Sequence, residues 1–180
     1  MILSGKCIGF KVIEFFLMHP SSEIHLTELA RKLDISPGSA KTYCDELLRN
    51  DLILETNRAN LRLFRLNRED FAVKEMIRAY HIILLKKLGI DDIAENCISL
   101  AIYGSFASGN MDERSDLDIL VVGEEKDADR DRVLELEGKL GREIQLTVLP
   151  YFRWEKMKKE GDKFVESILR NHVLVNGAEL

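Results

Sequence analysis

Ala101-Ile102-Tyr103-Gly104-Ser105-Phe106-Ala107-Ser108-Gly109-Asn110-Met111-Asp112-Glu113-Arg114-Ser115-Asp116-Leu117-Asp118-Ile119-Leu120-Val121-Val122 is the stretch on which the fold turns. It leaves an apolar strand at Gly104-Ser105 and enters a second apolar strand through a pair of carboxylates. Side chains alternate along a strand, so Asp116 and Asp118 share one face while Leu117, Ile119 and Val121 enter the core. Two like charges on one face repel, and a hard cation gives a physical reason to hold them there. Mg²⁺ is the expected cofactor, because it takes one or two carboxylates together with phosphate oxygens and water. Gly104 lets the backbone approach a ligand closely, and Ser105 is expected to open a helix whose free amides and dipole favour an anion.

Around this stretch the pattern alternates between strand and helix. Ile98–Tyr103 and Leu117–Val122 read as buried strands, Arg130–Leu140 as a helix, and Glu143–Leu149 as a third strand. Phe152–Met157 and Phe164–Asn171 read as closing helices. Tyr151, Phe152, Trp154 and Met157 have the spacing of plain core packing. Upstream, Glu69–Gly89 reads as one long helix ending at a glycine.

The first third reads differently. Ile8, Val12, Phe15 and Phe16 form one helical stripe, a second short helix covers Ile24–Leu33 with Thr27 or a neighbour as its cap, and Ser36-Pro37 caps and opens a third running to about Asn50. Leu52–Thr56 and Leu61–Asn67 then read as two strands around the polar turn Asn57-Arg58-Ala59-Asn60. Three helices closed by a hairpin, across "LTELARKLDISPGSAKTYCDELLRNDLI" and the wing, resemble the winged helix-turn-helix family over Cys7 to Asn67. The resemblance implies DNA as a partner. The contacts it suggests are Ser39, Lys41, Thr42 and Arg49 on the third helix and Arg58, Arg62 and Arg65 in the wing. Winged-helix proteins often bind as dimers, so a homodimer belongs among the expected assemblies.

The segment "YGSFASGNMDERSDLDILVV" resembles the first motif of the DNA polymerase β-like nucleotidyltransferase superfamily, in its minimal branch, over about Ile98 to Leu149. That likeness implies a nucleoside triphosphate bound at Gly104 and Ser105, and Mg²⁺ at the catalytic carboxylates Asp116 and Asp118, arranged for nucleotidyl transfer. A third carboxylate usual in the superfamily falls at Gln145, which cannot act as a base. Glu143, two residues earlier on the same strand face, is the candidate substitute. Loss of catalysis with retention of nucleotide sensing by a DNA-binding regulator is the alternative expectation.

The expected fold class is therefore α+β: a winged helix-turn-helix over 1–68, a linking helix over 69–96 and a small α/β nucleotidyltransferase-like domain over 97–180. Net charge is −5, divided as +2 over residues 1–68 and −7 over the remainder, which places the nucleic-acid side in the first third. No apolar run has membrane-spanning length, so no membrane partner and a cytoplasmic location are expected. Cys7, Cys44 and Cys97 lie far apart and read as reduced, mostly buried residues without a zinc site.

Overall fold

A computed structural model describes residues 7–58 and 61–180. The expected turn residues Ala59 and Asn60 lie outside the described residues. The chain divides into two compact units, Met1–Tyr80 and His81–Leu180. The division falls inside the 69–96 stretch expected to link them.

In the first unit, α1 (Ile8–Met18) buries Val12, Phe15, Phe16 and Leu17. The turn Asp34–Ser36 separates α2 (Leu26–Leu33) from α3 (Pro37–Arg49). Asp34 takes the left-handed conformation at φ 52° to end α2. Ser36 caps α3 by accepting from the Ser39 amide at 3.0 Å, with Pro37 in the first turn. The wing is β2 (Ile53–Arg58) and β3 (Leu61–Leu66), paired antiparallel from Ile53↔Leu66 to Arg58↔Leu61.

The second helix begins later than the sequence suggests. Ile24 and His25 form a short strand, β1, opposite Phe64 and Leu63, because Ile24 packs at 2% exposure across from the fully buried Phe64. The cap is the His25 ring, which accepts from the Thr27 amide at 3.3 Å. Cys7 is exposed at the start of α1, against the expectation of burial, and Cys44 is buried; all three cysteines are free thiols. Burial pushes the Cys44 thiol up to about 12.

Helix α4 (Phe71–Leu88) crosses from one unit to the other and stops at Gly89, whose φ is 90°. The second unit is a four-stranded sheet in the order β6-β5-β4-β7. Its strands are β4 (Ser99–Tyr103), β5 (Leu117–Val122), β6 (Ile144–Leu149) and β7 (Val173–Gly177). β5 and β6 run parallel, joined by α6 (Arg130–Leu140), and the other pairs are antiparallel. One sheet face carries Leu120, Val122 and Leu149 against Trp154 of α7 (Tyr151–Glu160) and Val165 and Ile168 of α8 (Lys163–Arg170). Tyr151 and Phe152 stand outside this core, at 51% and 74% exposure, because only the Trp154-Met157 stripe of α7 turns to the sheet. Among the described residues no helix is long and apolar enough to cross a membrane. The chain is thus α+β, with a winged helix-turn-helix arrangement followed by a small α/β unit.

Candidate active site

The site forms where β4 ends and β5 begins. Antiparallel pairing sets Tyr103 opposite Asp118, and parallel pairing sets Asp118 opposite Gln145, so these three side chains share a sheet face across three strands. Between β4 and the loop lies α5 (Gly104–Ser108), a helix of five residues that starts one residue earlier than expected, with Gly104 in the left-handed region at φ 69°. A Cβ at Gly104 would overlap the Asp118 carboxylate, whose Cγ would stand only 3.0 Å from it. The glycine is required twice over, by its backbone conformation and by the carboxylate lying on it. The room left by the missing side chain is filled by Asp118, not left open to a ligand.

Asp116 is exposed and Asp118 half-buried. Burial raises the Asp118 carboxyl above the ordinary carboxylate range, and the neighbouring Asp116 charge raises it further. Among the described residues neither carboxylate takes part in a salt bridge. Below them Tyr103 is fixed by a hydrogen bond between its hydroxyl and Thr147 Oγ1 (3.1 Å) and by edge-to-face packing on Phe164 (5.6 Å between centroids). Burial also pushes the Tyr103 hydroxyl upward.

Glu143 precedes β6 and is exposed; its backbone carbonyl accepts from the Leu117 amide at 2.9 Å. Gln145 donates from Nε2 to Glu143 Oε1 at 3.0 Å. Among the described residues no three His, Cys, Asp or Glu side chains converge to hold a metal ion, so Glu143 is not drawn into one cluster with Asp116 and Asp118. Asp116 and Asp118 are the residues that would hold Mg²⁺, an ion that completes its shell with phosphate oxygens and water.

One residue of the site escaped the sequence reading. Arg142, in the bend before β6, donates to the backbone carbonyls of Asp112 and Ser115, the two ends of the turn preceding Asp116. The only signal in the sequence was a basic residue directly ahead of a strand, which does not reveal its reach across 27 to 30 positions.

On the helix-turn-helix unit the candidate contacts are largely engaged within the protein. Arg62 forms a bidentate pair with Glu55 (2.8 and 2.7 Å), lies 3.5 Å from Asp45 and packs over Phe64. The Glu55 partner raises the Arg62 guanidinium and is itself held below the usual carboxylate range by that hydrogen bond. Arg58 lies 2.9 Å from Glu23, and Lys41 lies 3.4 Å from Asp45. Ser39 shares a hydrogen bond with Ser36, Thr42 donates to the Gly38 carbonyl, and Arg49 donates to the Asp45 carbonyl. Arg65 is half-buried and, among the described residues, has no salt bridge.

Residues 90–177 match the family described as "Polymerase beta, Nucleotidyltransferase". The C-terminal half is similar to that family. A protein of Methanocaldococcus jannaschii that carries the name of a protein adenylyltransferase is 34% identical over 84 residues, covering 45% of this chain. The match spans 57% of that relative's own length. Among solved structures, HlyU from Vibrio cholerae shows 22% identity over 41% of this chain and 77% of its own, with a TM-score of 0.36. A double mutant of ZitR from Lactococcus lactis, in apo form, shows 18% identity over 47% of this chain and 67% of its own, with a TM-score of 0.38. The winged-helix assignment stands on the observed elements themselves.

Proposed function

We propose that the C-terminal unit transfers a nucleoside monophosphate from a Mg²⁺–triphosphate complex to a hydroxyl acceptor. The observation that carries this reading is the Asp116–Asp118 pair, two neighbouring carboxylates with no salt bridge among the described residues, Asp118 lying against a glycine that leaves it room. Asp116 and Asp118 would hold the ion, which when bound neutralises phosphate charge and orients the α-phosphorus for in-line displacement. The amides of Gly104 and Ser105, which open α5, would take the polyphosphate. Glu143, steadied by the Gln145 amide, receives the acceptor's proton as the new oxygen–phosphorus bond forms and the bond to pyrophosphate breaks. The name of the archaeal relative supports ATP as donor and a protein as acceptor.

A second reading is favoured by one observation. The residue opposite Asp118 is Gln145, an amide where the resemblance calls for a carboxylate. On that reading the unit binds Mg²⁺–nucleotide without turnover and reports it to the helix-turn-helix unit, which docks on duplex DNA through Ser39, Lys41, Thr42 and Arg49 and the wing arginines.

Titration of the full chain with ATP by calorimetry, with and without Mg²⁺, followed by incubation with α-labelled ATP and candidate protein acceptors, separates the two. Label retained on protein after denaturation supports transfer. Mg²⁺-dependent binding without label supports sensing, and absence of binding rejects both.

A further inference from the structure

Arg142 links the turn before Asp116 to the helix that opens at Gly104. The guanidinium of Arg142 is half-buried, and its Nη1 donates to the Asp112 carbonyl and, at 3.0 Å, to the Ser115 carbonyl. The turn between those carbonyls is closed on itself. The Asp112 amide donates to Ser115 Oγ (2.9 Å), and both the Arg114 amide (2.9 Å) and the Ser115 hydroxyl (3.1 Å) donate to Asp112 Oδ1. The next residue is Asp116. The guanidinium also lies over the ring of Phe106, 5.6 Å from its centroid. Phe106 follows Ser105, is 2% exposed, and packs edge-to-face on His81. Two residues beyond Arg142 the chain enters β6, where Gln145 faces Asp118.

We propose that Arg142 is a positioning residue whose guanidinium fixes the Asp112–Ser115 turn against α5 and thereby holds Asp116 in place beside Asp118 and Gly104. This inference deepens the nucleotidyl-transfer reading and rests on it. The planar fork of an arginine presents donors in fixed directions while its face stacks on an aromatic ring, and a lysine ammonium reproduces the charge without that geometry. Burial disfavours the charged guanidinium, the main reason its pKa is lowered. An apolar chain of equal length would fill the same space without that cost, so packing alone does not account for an arginine here. Groups that orient ligating carboxylates typically change metal affinity by about 10- to 100-fold when removed.

The test uses the full chain carrying Arg142→Met or Arg142→Lys, with two readouts: amide hydrogen exchange over residues 112–117 without ligand, and Mg²⁺–ATP affinity by calorimetry. Arg142→Met should accelerate exchange in the turn, leave exchange over Ile119–Val122 unchanged, and weaken Mg²⁺–ATP binding about 10- to 100-fold. Arg142→Lys should recover part of both effects, and it stands in if the Met variant fails to fold. Parental turn exchange together with parental affinity overturns the proposal. So does weakened affinity with unchanged turn exchange, which would make Arg142 a direct ligand contact. If the parent binds no Mg²⁺–ATP, the nucleotidyl-transfer reading fails, and the exchange measurement alone decides whether Arg142 holds the turn.

Discussion

On the helix-turn-helix unit, Lys41, Arg58 and Arg62 each lie within 3.5 Å of an acid, whereas on the α/β unit Asp116 and Asp118 stand together with no salt bridge among the described residues. The first surface satisfies its own charge. The second holds two carboxylates whose mutual repulsion helps raise the Asp118 carboxyl. Like charges left without a salt bridge favour an incoming cation, whereas a face whose charges are already paired must break those pairs before it binds a charged partner. The difference orders the predictions that follow.

The largest effect belongs to the unmet charge. Asp116→Asn combined with Asp118→Asn should abolish Mg²⁺-dependent ATP binding, read by calorimetry with the fold checked by circular dichroism. Binding at parental affinity would remove the site assignment. Asp118→Asn alone should leave the ligand-free protein as stable as the parent or more so, by about 1–2 °C in Tm at neutral pH. The sign follows from the raised Asp118 carboxyl. A group whose folded pKa lies above its unfolded value contributes most below the unfolded pKa, about 3.9 for Asp, and that contribution is lost as pH rises through the folded value. At neutral pH the charged carboxylate is therefore a penalty, which Asn removes. The Tm difference should shrink as pH falls toward 4, and Mg²⁺–ATP affinity of the parent should fall over the same window.

Next comes the residue facing the pair. If Gln145 marks a lost acid, Gln145→Asp should raise the rate of label transfer, toward the ~10²- to 10⁴-fold that general-base assistance supplies. If Glu143 has taken that role, the parent is active, Glu143→Gln abolishes transfer and Gln145→Asp changes little. Silence in both variants with ATP still bound favours the sensing reading. A smaller effect is expected of Gly104→Ala, where a side chain in the left-handed region costs about 1–2 kcal/mol. The same Cβ pushes the Asp118 carboxylate aside, so Mg²⁺–ATP affinity should fall while the chain still folds. A variant that loses stability without losing affinity would show that Asp118 does not depend on the glycine.

How much of this was legible in the sequence follows from the range of the interactions involved. The helical stripes of α1 and α6, the Ser36-Pro37 cap and the limits of β5 are local, and the residues declare them. β7 was not foreseen, since Val173, Leu174 and Val175 make a short, half-buried strand whose identity rests on pairing with β4, more than 70 positions earlier. β1 failed for the same reason: Ile24 belongs to a strand only because Phe64 is there to pair with it. Glu14 was not foreseen in the core, yet it is fully buried and accepts from the Tyr80 hydroxyl at 3.1 Å. Within the site, the paired acids and the glycine are written in a single segment. Arg142 joins that segment through backbone carbonyls, and carbonyls carry no residue identity for a sequence to display.

The smallest effect, and the one that bears most on the self-neutralised surface, concerns DNA. If the helix-turn-helix unit binds duplex DNA with its ion pairs intact, Arg49 and Arg65 are the candidate cations without an acidic partner among the described residues, and counterion release should give a slope of log K against log salt of about −2. If the pairs open on binding, Lys41, Arg58 and Arg62 join them and the slope approaches about −4 to −5. Titration of the full chain with duplex DNA across a salt series distinguishes the two. Glu23→Gln with Asp45→Asn frees Arg58 and Lys41 without adding a cation, so it should tighten binding and steepen the slope in the first case and change the slope little in the second. Arg62 should respond least to that pair of substitutions, because its bidentate bond to Glu55 persists. A chain that shows no salt-dependent binding to duplex DNA even in the Glu23→Gln, Asp45→Asn background would take DNA out of the account and leave this unit's self-paired face to a neutral partner.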